Sequence, residues 1–165
     1  MSAFLGIDPG LDGAVVLVGE DGAVKLAALC PVLRVKKSRR EYDVRAMAHL
    51  LQGIGEPIHH AALERPSSRP GQGRVSIFST GRSGGLWEGI LATFGVAYEL
   101  PTPATWMRMM FSGIAASGEG KARSILAARQ LLPGLDLTPG RRTKPHDGLA
   151  DAGLLALYAR RRWGA

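Results

Sequence analysis

Apolar residues in the first part of the chain come in short runs bounded by turn residues, which is the pattern of strands rather than of helices. Residues 4–8, 15–18 and 23–32 predict three strands. Pro9-Gly10 and Gly19-Glu20-Asp21-Gly22 turn the chain between them, giving an antiparallel meander whose first strand ends on Asp8. The period then changes. Val44, Met47, Leu50, Leu51 and Ile54 fall at helical spacing, so a helix is predicted over 44–54, capped by Asp43 and ended by Gly53 and Gly55. Residues 58–63 form a short apolar strand that releases Glu64, followed by Arg65-Pro66. A helix over 85–94, a strand over 96–100 and helices over 104–110 and 121–132 follow, the last stopped by Pro133-Gly134. A final helix runs from His146 or Asp147 to about Arg162, with Leu149, Ala152, Gly153, Ala156 and Leu157 on or near one face.

Three stretches interrupt this pattern. Arg34, Lys36, Lys37, Arg39 and Arg40 form a basic connection, either a solvated loop or a phosphate-contacting arm. Residues 67–85 are rich in glycine, serine and arginine and contain no acid, which predicts a long stretch that is either functional or disordered. Residues 138–145 form a second basic loop with Arg141, Arg142 and Lys144. The element order gives an α/β fold with a mixed five-stranded sheet, three antiparallel strands then two parallel, flanked by helices. That is the order of an RNase H-like domain, in which the first strand is central and the fourth lies beside it. No repeat or linker divides the chain, so residues 1–165 are expected to form a single domain.

Composition narrows the class. A chain of 165 residues buries roughly 70% of its extended surface and needs no staple. Cys30, the single cysteine, cannot close an internal bridge, and no Cys/His cluster suggests zinc. No signal peptide precedes the first strand and no stretch approaches the roughly 20 apolar residues of a membrane span, so the expectation is a cytoplasmic protein without a membrane partner. The net charge is +7, and sixteen arginines outnumber five lysines. Arginine matches phosphate geometry with two parallel hydrogen bonds, which favours a polyanionic partner.

The acids define the candidate chemistry. If the strands that end on Asp8 and Glu64 are neighbours, about 4.8 Å apart, their carboxylates converge. Asp147 and Asp151 are four apart in one helix and share a face. Four such charges repel. Two hard divalent cations, Mg²⁺ or Mn²⁺, would relieve that repulsion and suit in-line phosphodiester cleavage. Singly, each acid has another reading: Asp8 capping its turn, Glu64 pairing with Arg65, Asp147 suiting a helix first turn. Asp151 is harder to explain so, because it sits in an apolar helix. Asp12, in a glycine-flanked turn, reads as a surface residue.

Gly6-Ile7-Asp8-Pro9-Gly10, Leu63-Glu64, Lys121 and His146-Asp147-Gly148-Leu149-Ala150-Asp151, in this order and spacing, resemble the RuvC family of Holliday junction resolvases. The likeness spans nearly the whole chain. The 67–85 run and Pro103-x-x-Trp106 resemble its phage-type and chloroplast-type branches. The resemblance implies an RNase H-like homodimer that introduces paired, symmetric nicks into four-way branched DNA with Mg²⁺. It also implies that Asp8, Glu64, Asp147 and Asp151 bind the metal and that Lys121 acts near the scissile phosphate. Arg108 falls where relatives carry a basic residue. The family's last two metal-binding positions are often three apart; here they are four apart, and His146, otherwise a solvated loop histidine, is an alternative third ligand.

Beside that resemblance, Arg69, Arg74 and Arg82 are candidates for tracking phosphates, and Phe78 for stacking at an opened junction or anchoring its loop to the core. Trp87 and Trp106 read as core aromatics. Other readings of the chain are a YqgF-like nuclease for RNA or RNA–DNA hybrid, a phosphate-binding ATPase of the actin or sugar-kinase type, and a non-catalytic junction-binding protein. The kinase type needs a second such domain, for which the chain has no room.

Overall fold

The computed structural model describes residues 2–37, 39–67, 71, 73–114 and 120–164. Its elements are β1 (Ala3–Asp8), β2 (Ala14–Gly19), β3 (Val24–Leu29), β4 (Val32–Lys36), β5 (Arg39–Tyr42), α1 (Val44–Gln52), β6 (Ile58–Leu63), α2 (Arg74–Thr93), β7 (Tyr98–Glu99), α3 (Pro103–Met110), α4 (Lys121–Leu131) and α5 (Asp147–Trp163). Five strands form one mixed sheet in the order β3-β2-β1-β6-β7, and β4 and β5 form a separate pair. β1 runs antiparallel to β2 and parallel to β6, so Ile7 has Val15 on one side and Leu63 on the other. The mixed sheet, the central first strand and its parallel neighbour are those expected from the pattern.

Alternation along β1 sorts its residues between two helical layers. Phe4 belongs to the core under α3, α4 and α5, while Leu5 and Ile7 pack with residues of α1 and α2. Fully burying each such side chain contributes about 2 kcal/mol. Gly6 shares Phe4's side, and there the helix lies on the strand itself. A Cβ at Gly6 would stand 1.9 Å from the Ala152 carbonyl oxygen and 2.3 Å from the Ala156 nitrogen. Only a residue without a side chain fits. This contact holds α5 against the central strand along a helix that is buried from Gly148 to Ala159 but for half-buried Asp151.

Four expectations are corrected. The strand expected over 23–32 ends at Leu29, and the chain then leaves the sheet. Pro31 has no N–H to continue a ladder, and Val32 opens β4, so the basic connection is a two-stranded ribbon rather than a loop. Residues 67–85 are not one long loop, because α2 begins at Arg74 and runs for 20 residues. Glycine and serine are poor helix formers, but here tertiary packing overrides propensity. Ser83 and Gly84 are buried, and a Cβ on Gly84 would stand 2.3 Å from Cγ of Pro66, so the glycine admits the proline. The strand expected over 96–100 pairs only at Tyr98–Glu99.

Candidate active site

The alternation that turns Phe4 and Gly6 toward α5 also turns Asp8 there, at the end of β1. Ala62 faces the same side, which brings Glu64, two residues on, to the adjacent position. The Glu64 N–H donates to the Ile7 carbonyl at 3.0 Å, extending the ladder one residue beyond β6. The start of α5 closes over these strand ends. A Cβ on Gly148 would meet Asp8 Oδ2 at 3.0 Å and the Asp12 carbonyl oxygen at 2.6 Å, so the glycine is required for that approach. His146 is not a solvated loop histidine. It is buried and caps α5, its Nδ1 accepting from the Leu149 N–H at 3.3 Å. Burial lowers its pKa, as the neutral acceptor role requires.

The acids share one electrostatic environment. Burial pushes the Asp8 carboxyl well above its ordinary range, and the charges of Asp151, Glu64 and Asp147 add to the rise against Lys121. Burial raises Asp151 to about 6, with Glu64 and Asp147 adding to the rise and the Ser124 hydroxyl opposing it. Asp147 stays below its ordinary value despite burial, because the Lys121 ammonium bonds its Oδ2. That bond raises the pKa of Lys121 and answers the cost of a cation in the first turn of α4. α4 and α5 thus start together, with Lys121 on Asp147 and Ser124 one turn farther on beside Asp151.

Two contacts are invisible in the sequence pattern. The fully buried Trp106 indole donates to Glu64 Oε2 at 2.8 Å. Trp87 and Trp106 are both core residues as expected, but Trp106 also fixes an acid of the site. The available signal was general, since a buried indole N–H needs an acceptor. Asp12 is exposed and holds Arg40 through two bonds of 2.7 and 2.9 Å, which tie the ribbon to the turn after Asp8. Arg40 lowers the Asp12 pKa in turn.

Of the other candidates, Arg74, Arg82 and Arg108 are exposed on α2 and α3, and Arg82 lies over the Tyr42 ring at 5.9 Å. Phe78 is 73% exposed on α2, so it does not anchor its segment to the core. Arg69 lies outside the described residues. A cleft of about 520 Å³ opens by Phe4 and the last turn of α5, and is separate from the acids. Its Arg160 is already bonded to the Glu20 carbonyl and its Trp163 to Glu99.

The donors suit a hard cation in kind. All four are carboxylates, and Asp151 Oδ1 is buried without a hydrogen-bond partner among the described residues. Among those residues no three His, Cys, Asp or Glu side chains are drawn close enough to hold one ion. Four mutually repelling carboxylates with a single ammonium among them favour such spacing. No helix among the described residues is long and apolar enough to cross a membrane.

No family model matches the sequence, and no curated protein matches it. Solved structures match its fold over almost the whole chain, two of RuvC among them. One is of T. thermophilus RuvC in complex with a Holliday junction substrate, at 16% identity and a TM-score of 0.65, covering 98% of this chain and 96% of that one. The other is of Thermus thermophilus RuvC, at 23% identity and a TM-score of 0.55, covering 94% and 92%. The chain therefore has the α/β fold of those structures, as its motif order implied.

Proposed function

We propose that the chain is a metal-dependent endonuclease that resolves four-way DNA junctions by paired symmetric nicks, acting as a homodimer on branched DNA. The observation that supports this reading is that Asp8, Glu64, Asp147 and Asp151 act on one another electrostatically where two parallel strands end and α5 begins. The fold shared with RuvC, one of whose structures is in complex with a Holliday junction substrate, supports branched DNA as the substrate. A second copy is part of the reading, since paired nicks need two sites at a fixed separation.

Asp8, Glu64, Asp147 and Asp151 would hold Mg²⁺, with Mn²⁺ able to substitute and two ions to a site. Bound there, the ions supply a water of lowered pKa and a Lewis acid for the leaving oxygen. The protein's own contribution is positional and electrostatic. Asp8 and Asp151, which hold their protons unusually firmly, act as ligands in their ionised forms. Trp106 fixes one oxygen of Glu64. Lys121, already among the acids, is the cation available to a phosphate oxygen as charge develops on it.

The test is cleavage of a mobile four-way junction with Mg²⁺, mapped on all four strands. Symmetric paired nicks are expected from the wild type. Asp8→Asn is expected to abolish them and to keep junction binding, because the basic surface is untouched. Cleavage by that variant at the wild-type rate would overturn the mechanism. Preference for structured RNA or a hybrid in competition would overturn the substrate.

A further inference from the structure

The β4–β5 ribbon is assembled against its own electrostatics. Arg34 lies directly across from Arg40, and Lys36 across from Arg39. Like charges in directly opposed cross-strand positions destabilise a pair of strands, and a two-stranded ribbon is marginal by itself. In each pair one partner is already neutralised within the chain. Arg40 is held by Asp12, and Arg39 bonds Glu41 at 2.7 Å. Arg34 and Lys36 are exposed and have no ion pair among the described residues.

The ribbon is nonetheless fixed in place. The two Arg40–Asp12 bonds tie it to the turn that follows Asp8. At its other end the Tyr42 hydroxyl donates to the Ser79 carbonyl of α2 at 3.2 Å. Other cations border the same region: Arg82 sits over the Tyr42 ring, and the Arg142 charge reaches Asp12. Two cations without an ion pair among the described residues thus stand on a ribbon tied to the turn that follows Asp8. A row of phosphates would remove the repulsion that the ribbon carries.

We infer that the β4–β5 ribbon is a seat for a duplex arm of the substrate, with Arg34 and Lys36 contacting its phosphates and the Arg40–Asp12 pair holding that seat in register with the acids. The inference rests on the nuclease reading above, and names a contact surface that reading does not use. Because the contacts are to phosphates, the ribbon is blind to base sequence. It serves a linear duplex as well as a junction arm.

The experiment is fluorescence-anisotropy titration of an immobile four-way junction and of a linear duplex between 50 and 200 mM salt, without divalent cations. Each phosphate contact contributes about 0.9 to the slope of log K against log salt, so Arg34→Ala/Lys36→Ala is expected to flatten it by about 2 on both DNAs. Affinity at the upper salt concentration should fall about tenfold or more, to the same degree for different sequences. The charge-retaining exchange Arg34→Lys/Lys36→Arg should restore the slope. Arg129→Ala/Arg161→Ala, which removes two exposed charges elsewhere, should leave it within about 0.5 of wild type. A wild-type slope in the ribbon variant, or an equal loss in the remote control, overturns the inference and leaves the nuclease reading standing. A wild type that binds neither DNA overturns the nuclease reading itself.

Discussion

Trp106 has one polar hydrogen, and it goes to Glu64. Phenylalanine keeps an aromatic ring in the buried site, where Trp106 meets Phe111 edge-on, and removes the N–H together with part of the indole. Groups that orient metal-binding side chains are worth 10–100-fold in metal affinity or activity. Trp106→Phe is therefore expected to raise the Mg²⁺ concentration needed for half-maximal cleavage by about tenfold. Saturating Mg²⁺ should restore most of the rate and junction binding should not change; a loss that metal cannot restore would contradict this.

Asp151 makes a prediction of opposite sign to that of a salt-bridged acid. Its carboxyl titrates at about 6 in the folded chain against an ordinary 3.8, so the folded state holds that proton more tightly than the unfolded one. Stability is then lost as pH rises from about 4 to about 6, by on the order of 2 kcal/mol, and the deficit is complete above that window. Without divalent cations Asp151→Asn should melt above wild type at pH 7 and coincide with it at pH 4. A lower melting point for the variant at pH 7 would contradict the assignment. At this scale the sequence shows an acid that ends a strand, as at Asp8 and Glu64, because position alone defines it. It does not show His146 as a buried cap or Trp106 as a donor, because both roles depend on chain segments brought together by folding.

At the scale of elements, α5 and β1 are the pair on which the site depends. Their closeness is set by Gly6, and an added methyl group there would meet the helix backbone rather than a yielding side chain. Gly6→Ala is expected to cost about 3 kcal/mol or more by overpacking. Gly55→Ala, with nothing within 4 Å, should stay within about 0.5 kcal/mol of wild type in the same denaturation experiment. Strand existence was legible because short apolar runs between turn residues have few alternatives. The first half of α2 was not, because glycines and serines that permit contact with Pro66 and Tyr42 carry no helical signal in isolation. The ribbon was hidden for a related reason: its residues are charged, and its support comes from Asp12 and Ser79, far away in sequence.

The whole molecule divides its labour between a sheet packed on both faces and a charged end that contributes little to holding it together. Apolar clusters cover both faces of the sheet, so removing metal with a chelator should leave the fold intact. Adding a cation should do more than removing one. A ligand at 100 times its dissociation constant adds about 2.7 kcal/mol, and for a chain of this size each kcal/mol moves the midpoint by roughly 2–4 °C. Saturating Ca²⁺ or Mn²⁺ is thus expected to raise the wild-type melting midpoint by about 5 °C or more and to leave Asp8→Asn nearly unmoved. An equal rise in both would place the cation elsewhere.

The indole beside Glu64 is also an optical instrument. Its emission responds to the field of a neighbouring charge, and this one is shut away from solvent quenchers. The chain has two other tryptophans, Trp87 in the opposite layer and Trp163 at the end of α5. Replacing both with phenylalanine would leave a single emitter hydrogen-bonded to an acid of the site. Cation arrival could then be followed in real time by the colour and lifetime of one native residue, with no dye attached and no DNA present.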